Sequence, residues 1–120
     1  MARHNQTGKE GELIAKKFLK SNGYAILKTN WRKGKAEVDI IAQHNGLIVF
    51  IEVKTRTSAA FGMPYEAVHS QKEDLLIGAA EIFIEELNSN AEIRFDILSI
   101  ILNNNAPKIE HILDAFSGHR

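Results

Sequence analysis

An Asn-Gly dipeptide between two strand-like segments constrains the fold of this chain more than any other feature. Residues 37–43 partly alternate polar and apolar side chains, and residues 47–55 are rich in β-branched residues. Both patterns are typical of β-strands. Asn45 and Gly46 tolerate the positive φ angles of a type I′ turn, so a hairpin with a two-residue loop is predicted. Such a loop fixes which residues of the two strands oppose each other.

The predicted register brings charged side chains of both strands to one face. Counting outward from the turn, Asp39 opposes Glu52. By the same count, Glu37 opposes Lys54. Directly opposed side chains share a face, with Cβ atoms roughly 4.5–5.5 Å apart, and side chains two residues apart on one strand share it too. The sequence therefore predicts one patch that contains all four residues.

Carboxylates are unexpected in this patch, because the rest of the second strand is apolar enough to be buried on both faces. Buried carboxylates repel one another and lose their hydration. A divalent cation would remove both penalties, and carboxylate oxygens suit Mg²⁺ or Mn²⁺. The alternative is an ion pair between Glu37 and Lys54, with a solvated Asp39 at a sheet end. The residues alone leave both interpretations open.

The remaining patterns predict an α/β domain in the order α-β-β-β-α-β-β, with a mixed sheet flanked by helices. Apolar residues at helical spacing predict helices over residues 8–22 and 70–88. Strands are predicted over residues 24–31, 37–43, 47–55, 92–102 and 108–114, with loops over 32–35, 56–65 and 103–107.

Composition places the chain among small globular proteins. It has 120 residues and no cysteine, which fits one domain with its own core and excludes disulfides and thiolate metal sites. No apolar run approaches the roughly 18 residues of a membrane span. The polar residues 1–6 lack the apolar stretch of a signal peptide. A cytoplasmic protein without a membrane partner is therefore expected.

The net charge of zero conceals an uneven distribution. Residues 1–72 contain 12 of the 15 basic and 6 of the 15 acidic residues, whereas residues 73–120 contain 3 basic and 9 acidic residues. A basic half beside an acidic half favours a surface that faces a polyanion such as nucleic acid. An acidic, helix-rich face of the protein that has no functional role would explain the same charge distribution equally well.

Asp39, followed by Glu52-Val53-Lys54 in the next strand, resembles the core motif of the PD-(D/E)xK nuclease superfamily. Further motifs resemble the YraN family, which is regarded as endonuclease-like: Gly8, Gly11-Glu12, Gly23-Tyr24, residues 37–42, residues 50–56, Phe61-Gly62 and residues 94–96. The resemblance extends to about residue 116. It departs at Ala36, where the family usually has glycine. Archaeal-type Holliday-junction resolvases are similar in their helix glutamate, strand aspartate and Glu-x-Lys.

The resemblance implies a restriction-endonuclease-like fold over residues 1–120 and assigns roles in a site for Mg²⁺ or Mn²⁺. Asp39 and Glu52 would hold the metal, with the carbonyl of Val53. Lys54 would orient or deprotonate the attacking water, or stabilise the phosphate. Glu12 would bind a second metal or a metal-bound water; the alternative is a glutamate favoured by the positive end of the helix dipole. Glu37 is either a further ligand or the partner of Lys54.

Several basic and polar residues are candidates for contacts with the nucleic-acid backbone, which give affinity without sequence choice. They are Arg32, Lys33, Lys35, Arg56, Gln71 and Lys72. For Gln71 and Lys72 the alternative is an ordinary solvated first turn of the second helix. The five histidines show no ligand spacing and receive no role.

These interpretations predict a metal-dependent endonuclease that hydrolyses phosphodiester bonds of structured or branched DNA, in repair or recombination. DNA is favoured over RNA as the partner. Two alternatives are a nucleic-acid-binding module that does not cleave and a nuclease subunit that requires a partner protein. Homodimer formation is left open.

Overall fold

The computed structural model of the chain describes residues 2–58, 70–103 and 106–116, and its side chains from residue 6 onward with the exception of residue 70. Its elements are α1 (Ala2–Ser21), β1 (Ala25–Lys33), β2 (Ala36–His44), β3 (Leu47–Arg56), α2 (Ser70–Leu87), β4 (Glu92–Ile101) and β5 (Lys108–Phe116). The predicted order of elements is confirmed. Most of the predicted loop over residues 56–65, including Phe61-Gly62, lies outside the described residues.

The strands of the described residues form one mixed sheet in the order β1-β2-β3-β4-β5. Neighbouring strands are antiparallel except β3 and β4, which are parallel. Helix α2 is the crossover between these two parallel strands. Strand β3 therefore lies in the middle of the sheet, which explains why its sequence is apolar on both faces.

Most element boundaries differ from the predictions by one or two residues, and the beginning of α1 differs by more. Helix α1 begins at Ala2, well before residue 8, because the polar residues 2–7 continue the helix beyond its apolar face. The predicted basic turn over residues 32–35 is too long, because Arg32 and Lys33 belong to β1. Gly34, with a φ of 61°, is in the turn itself, where the absence of a Cβ makes this conformation accessible.

The predicted register of the β2–β3 hairpin is confirmed close to the turn. Paired residues run from His44 with Leu47 outward to Ile40 with Ile51. Asn45 and Gly46 have φ angles of 50° and 81°, as a type I′ turn requires. Beyond Ile40 and Ile51 the regular pairing ends, so the opposition of Asp39 to Glu52 expected from the count is not part of the ladder. Asp39 on β2 and Glu52 on β3 are thus the first residues beyond the paired region.

The pleat of β2 changes beside this point. Val38 packs in the core under α2, whereas Ile40 packs in the core under α1, although residues two apart on a regular strand share a face. On the neighbouring strand, Asn30 has a φ of 49° and lies between the paired residues Thr29 and Trp31. The irregularity leaves Asp39, between Val38 and Ile40, with access to both sides of the sheet.

Each helix covers one face of the sheet and closes a separate core. Under α1 the core contains Leu19, Val49 and Ile51 among others. Under α2 it contains Phe50 and Phe83 among others. Alternate residues of β3 thus enter opposite cores. Within the described residues, no helix is long and apolar enough to cross a membrane.

Candidate functional site

Asp39 is the centre of the candidate site. Its Oδ2 accepts a hydrogen bond of 2.8 Å from the backbone N–H of Val53, across the gap where the β2–β3 pairing has ended. Burial raises the pKa of Asp39 to about 9, with further contributions from the hydrogen bond to Glu52 and from the charge of Glu52. With this pKa, Asp39 keeps its proton at neutral pH.

Glu52 is the second buried acid, with only 4% of its surface exposed. Its Oε2 is 2.7 Å from Nζ of Lys72, which projects from the first turn of α2. Burial lowers the pKa of Lys72, but the hydrogen bond to Glu52 and the charge of Glu52 outweigh burial and raise it. The charge of Glu52 is thus balanced by an ammonium group in the structure.

Lys54 completes a cluster of two acids and two lysines. Burial lowers its pKa, and the hydrogen bond with Lys72 and the charge of Lys72 lower it further, while Glu52 and Asp39 act in the opposite direction. A lysine with a lowered pKa gives up its proton more readily than an exposed lysine. The sequence prediction that Asp39, Glu52 and Lys54 lie together is confirmed, although they meet through the gap between β2 and β3.

Two cavities of about 430 Å³ each open beside Asp39, and both include it in their lining. The first, here called the α1 cavity, also contains Glu12, Val53, Lys54 and Arg56. The second, here called the α2 cavity, also contains Lys35, Glu37, Glu52, Gln71 and Lys72. Asp39 therefore lies at the wall between two polar cavities on opposite sides of the sheet.

Glu12 reaches the α1 cavity because α1 lies very close to β3. A Cβ on Gly11 would collide with the side chain of Thr55, so only glycine permits this approach without a shift. The Glu12 carboxylate accepts a hydrogen bond of 3.0 Å from the Asn30 amide. Because α1 begins at Ala2, Glu12 is in the middle of the helix. The alternative interpretation of Glu12 as a helix-terminal residue is therefore wrong.

Glu37 does not pair with Lys54, as one interpretation of the sequence expected. It forms an ion pair with Arg32 on the neighbouring strand, with 3.2 Å between Arg32 Nε and Glu37 Oε2. Arg32 is directly opposite Glu37 in the β1–β2 ladder, and this pairing was hidden because β1 was expected to end at residue 31. Glu37 nevertheless lines the α2 cavity.

The candidate nucleic-acid contacts divide into two groups. Lys35, Gln71 and Lys72 line the α2 cavity, and Arg56 lines the α1 cavity. Arg32 and Lys33 are elsewhere on β1 and form ion pairs, Arg32 with Glu37 and Lys33 with Glu86. Four of the six candidates therefore line the two cavities beside Asp39.

Residues 11–100 match the model of the uncharacterised protein family UPF0102. The chain belongs to this family. A UPF0102 protein of Flavobacterium psychrophilum is 46% identical over 97% of this chain and 98% of its own length. A UPF0102 protein of Bacteroides thetaiotaomicron is 40% identical, covering 97% and 96%. One from Caldanaerobacter subterraneus subsp. tengcongensis is 42% identical, covering 91% and 93%.

The UPF0102 match confirms the family resemblance drawn from the sequence, and the matched residues 11–100 include every residue assigned to the site. Glu12 is near the beginning of the matched segment, and Lys72 is well inside it. The match therefore covers the second half of α1, all of α2 and strands β1, β2 and β3.

The donor set at Asp39 and Glu52 suits a hard divalent cation. Among the side chains that the structure describes, no three histidines or acids are grouped as metal ligands, so Glu12 does not join the two acids. Mg²⁺ needs no such group, because it keeps several waters and is commonly bound through one or two carboxylates. Here the proton on Asp39 and the ammonium group of Lys72 limit the repulsion between the two acids, and a cation could replace both.

A second buried polar cluster, which sequence reasoning missed, lies on β4. Asp96 is fully buried and accepts two hydrogen bonds of 2.9 Å from the Arg94 guanidinium. It also accepts one of 3.0 Å from the Asp114 N–H and contacts His111 Nε2 at 2.7 Å. Arg94 donates in turn to the Tyr24 hydroxyl at 2.7 Å.

The hydrogen bonds decide the charge of Asp96. Burial alone would raise its pKa, but hydrogen bonds from His111, Arg94 and the Asp114 amide together lower it below the ordinary value. Arg94 and Asp96 are two residues apart on one strand and so share a face. An aspartate inside an otherwise apolar strand was the available signal, but nothing in the sequence identified His111 on β5 as its partner.

Proposed function

We propose that this UPF0102 chain is a metal-dependent endonuclease of the PD-(D/E)xK superfamily that hydrolyses phosphodiester bonds of structured or branched DNA. The observation that carries the proposal is that a half-buried acid, Asp39, lies beside a buried acid, Glu52, with Lys54 next to them. Buried like charges are unfavourable without a compensating cation, and these three residue types in the same order form the superfamily motif. The polar cavities on both sides of Asp39 give a substrate access to them.

In this proposal, Asp39 and Glu52 hold Mg²⁺ or Mn²⁺, with the carbonyl of Val53 as a further ligand. When bound, the cation polarises the scissile phosphate and offsets the charge that develops in the transition state. The N–H of Val53 fixes the orientation of the Asp39 carboxylate through its 2.8 Å hydrogen bond. Glu12, on the α1 cavity, is placed to bind a water or a second cation.

The reaction is a hydrolysis in which Lys54 acts on the attacking water. The water oxygen forms a bond to phosphorus, and the bond from phosphorus to the leaving oxygen breaks. The leaving oxygen takes up a proton from solvent, so the products are a phosphate monoester and a hydroxyl. The proton of the water passes to Lys54 when the lysine is neutral. The lowered pKa of Lys54, caused first by burial and then by Lys72, supports this role as a general base.

Binding of the nucleic-acid backbone is assigned to the basic and polar side chains around Asp39. Arg56 contacts it from the α1 cavity, and Lys35, Gln71 and Lys72 contact it from the α2 cavity. Such contacts raise affinity for any sequence and weaken as salt increases. Selection among substrates then depends on the shape of the nucleic acid rather than on its base sequence.

One observation favours a second candidate function, a module that binds nucleic acid without cleaving it. Lys72 already neutralises Glu52 at 2.7 Å, and a site that keeps this ion pair permanently would bind no metal there. A nuclease subunit that is completed by a partner protein would behave in the same way when isolated.

Cleavage of a panel of labelled substrates distinguishes these functions. The panel contains a four-way junction, a flap, single-stranded DNA, duplex DNA and a matched RNA, each with Mn²⁺. The wild type is compared with Lys54→Ala and with Lys17→Ala, which removes an exposed lysine from α1 as a control. Cleavage that Lys54→Ala loses and Lys17→Ala retains supports the nuclease. Binding without cleavage by the wild type contradicts it and supports the binding module.

A further inference from the structure

The ion pair between Lys72 and Glu52 occupies the position that a metal would need. Nζ of Lys72 is 2.7 Å from Oε2 of Glu52, and both residues line the α2 cavity. Glu52 is 4% exposed, so its carboxylate has little access to water as an alternative partner. The buried acid is thus balanced by a side chain from a different element, α2.

Lys72 differs from Glu52 in its freedom to move. Its side chain is 39% exposed and is attached to the first turn of α2, at the margin of the α2 cavity. A lysine has a flexible four-carbon stem and a compact charge, so its ammonium group can leave Glu52 without any change in the backbone. The lysine can therefore exchange one anionic partner for another inside the same cavity.

A divalent cation and the Lys72 ammonium group cannot both bind Glu52 closely. Two cations on one buried carboxylate repel each other, and the interaction is poorly screened away from water. Binding of a cation at Glu52 must therefore displace Lys72 toward the open side of the α2 cavity.

We propose that Lys72 is an internal counter-ion that competes with the metal for Glu52 and that moves to a backbone phosphate when the metal binds. This inference rests on the proposed function, since it requires a metal at Glu52. A phosphate near the α2 cavity provides the displaced ammonium group with a new anionic partner. Metal and nucleic acid then bind cooperatively, because each makes the exchange of Lys72 more favourable for the other.

Replacing a residue that only helps to hold the metal ligands in place would weaken metal binding, whereas replacing Lys72 should strengthen it. Replacing Lys72 removes a competitor, so the affinity for metal in the absence of nucleic acid increases. The expected gain is about tenfold, which corresponds to losing one competing charge-assisted hydrogen bond. The affinity for nucleic acid decreases at the same time, because the phosphate contact is lost.

The test measures binding of Mn²⁺ alone to the wild type, Lys72→Met and Lys35→Met, by electron paramagnetic resonance. Lys35 lines the same cavity but is not the ion-pair partner of Glu52, so it controls for the general loss of one positive charge. We expect Mn²⁺ to bind about tenfold more tightly to Lys72→Met and nearly unchanged to Lys35→Met. Lys72→Gln serves the same purpose if the methionine variant does not fold.

A second measurement repeats the titration with a saturating single-stranded oligonucleotide. The oligonucleotide should increase Mn²⁺ affinity in the wild type and lose this effect in Lys72→Met. Equal Mn²⁺ affinity of the wild type and Lys72→Met would overturn the inference and leave the proposed function intact. Absence of Mn²⁺ binding in both proteins would overturn the proposed function, and the inference with it.

Discussion

The carboxyl group of Asp39 lies beside the buried carboxyl group of Glu52, just beyond the last paired residues of β2 and β3. A proton on Asp39, whose pKa burial raises to about 9, keeps the two acids from repelling each other, and Lys72 balances the charge of Glu52. Both compensating groups are replaceable by a divalent cation. A divalent cation that binds here therefore replaces the proton of Asp39 and the ammonium group of Lys72, and each replacement has a measurable consequence.

Asp39→Asn should leave the metal-free protein nearly as stable as the wild type. Asp39 carries a proton at neutral pH because burial raises its pKa to about 9, and asparagine has a similar shape and is also neutral. We expect the free energy of unfolding to change by about 1 kcal/mol or less, since the hydrogen bonds can be retained. Urea denaturation in a chelating buffer measures this change.

The same substitution should abolish stabilisation by metal. A metal that binds only the folded wild type raises its free energy of unfolding by about 2.7 kcal/mol at a concentration 100 times Kd. Thermal melts with and without Mn²⁺ should show this increase in the wild type alone. A wild-type melting temperature that is indifferent to Mn²⁺, or an equal increase in Asp39→Asn, would contradict the assignment of Asp39.

Metal affinity should rise with pH. Below the pKa of about 9 the metal must displace the proton of Asp39, so the apparent affinity increases up to about tenfold per pH unit and levels off above about pH 9. Calorimetric titration with Mg²⁺ at pH 7, 8 and 9, in buffers of different ionisation enthalpy, counts the released protons. Binding that is independent of pH and releases no proton would show that the metal does not displace a proton from Asp39.

Asp96→Asn tests the buried cluster on β4. Hydrogen bonds hold the pKa of Asp96 below its ordinary value, so the charged carboxylate stabilises the fold above the ordinary aspartate range. This contribution disappears as the pH falls through the lowered pKa. We expect a loss of about 3 kcal/mol at pH 7, because Arg94 remains without its partner. Urea denaturation should show the difference from wild type shrinking below about pH 4; a difference independent of pH would contradict the charged role.

Gly11→Ala tests the close approach of α1 to β3. The added Cβ would collide with Thr55, and relief of such overpacking typically destabilises by about 1–3 kcal/mol. Gly8→Ala is the matched control, because nothing lies within 4 Å of a Cβ at Gly8, and alanine there should stabilise the helix by up to about 1 kcal/mol. Chemical denaturation of both variants gives the comparison; equal effects would contradict the close packing.

Local signals in the sequence predicted much of the fold. Asn45-Gly46 fixed the hairpin register near the turn, because the requirement for positive φ acts within a few residues. The departure from that register at Asp39 was not predictable, since it depends on the positive φ of Asn30 in the neighbouring strand. The count outward from the turn therefore grouped Asp39 with Glu52 but did not reveal the gap between their strands.

Contacts between distant elements were the least predictable part of the site. Lys72 was identified as a basic residue at the beginning of a helix, but its ion pair with Glu52 requires the crossover of α2 over the sheet. The same holds for His111, which meets Asp96 only because β5 pairs with β4. Residue type and spacing show which side chains share a face of one strand, whereas these pairs are determined by the packing of separate elements.

Single-turnover cleavage by the wild type and by Asp39→Asn shows whether the Asp39–Glu52 pair supports phosphodiester hydrolysis. The substrates are a labelled four-way junction and a flap, each with saturating Mn²⁺. We expect metal-dependent cleavage by the wild type and a decrease of about 10³-fold or more in Asp39→Asn, the scale of losing one electrostatic contact to the transition state. Equal rates in the two proteins, or no cleavage by a wild type that binds both Mn²⁺ and the substrates, would contradict this role of the pair.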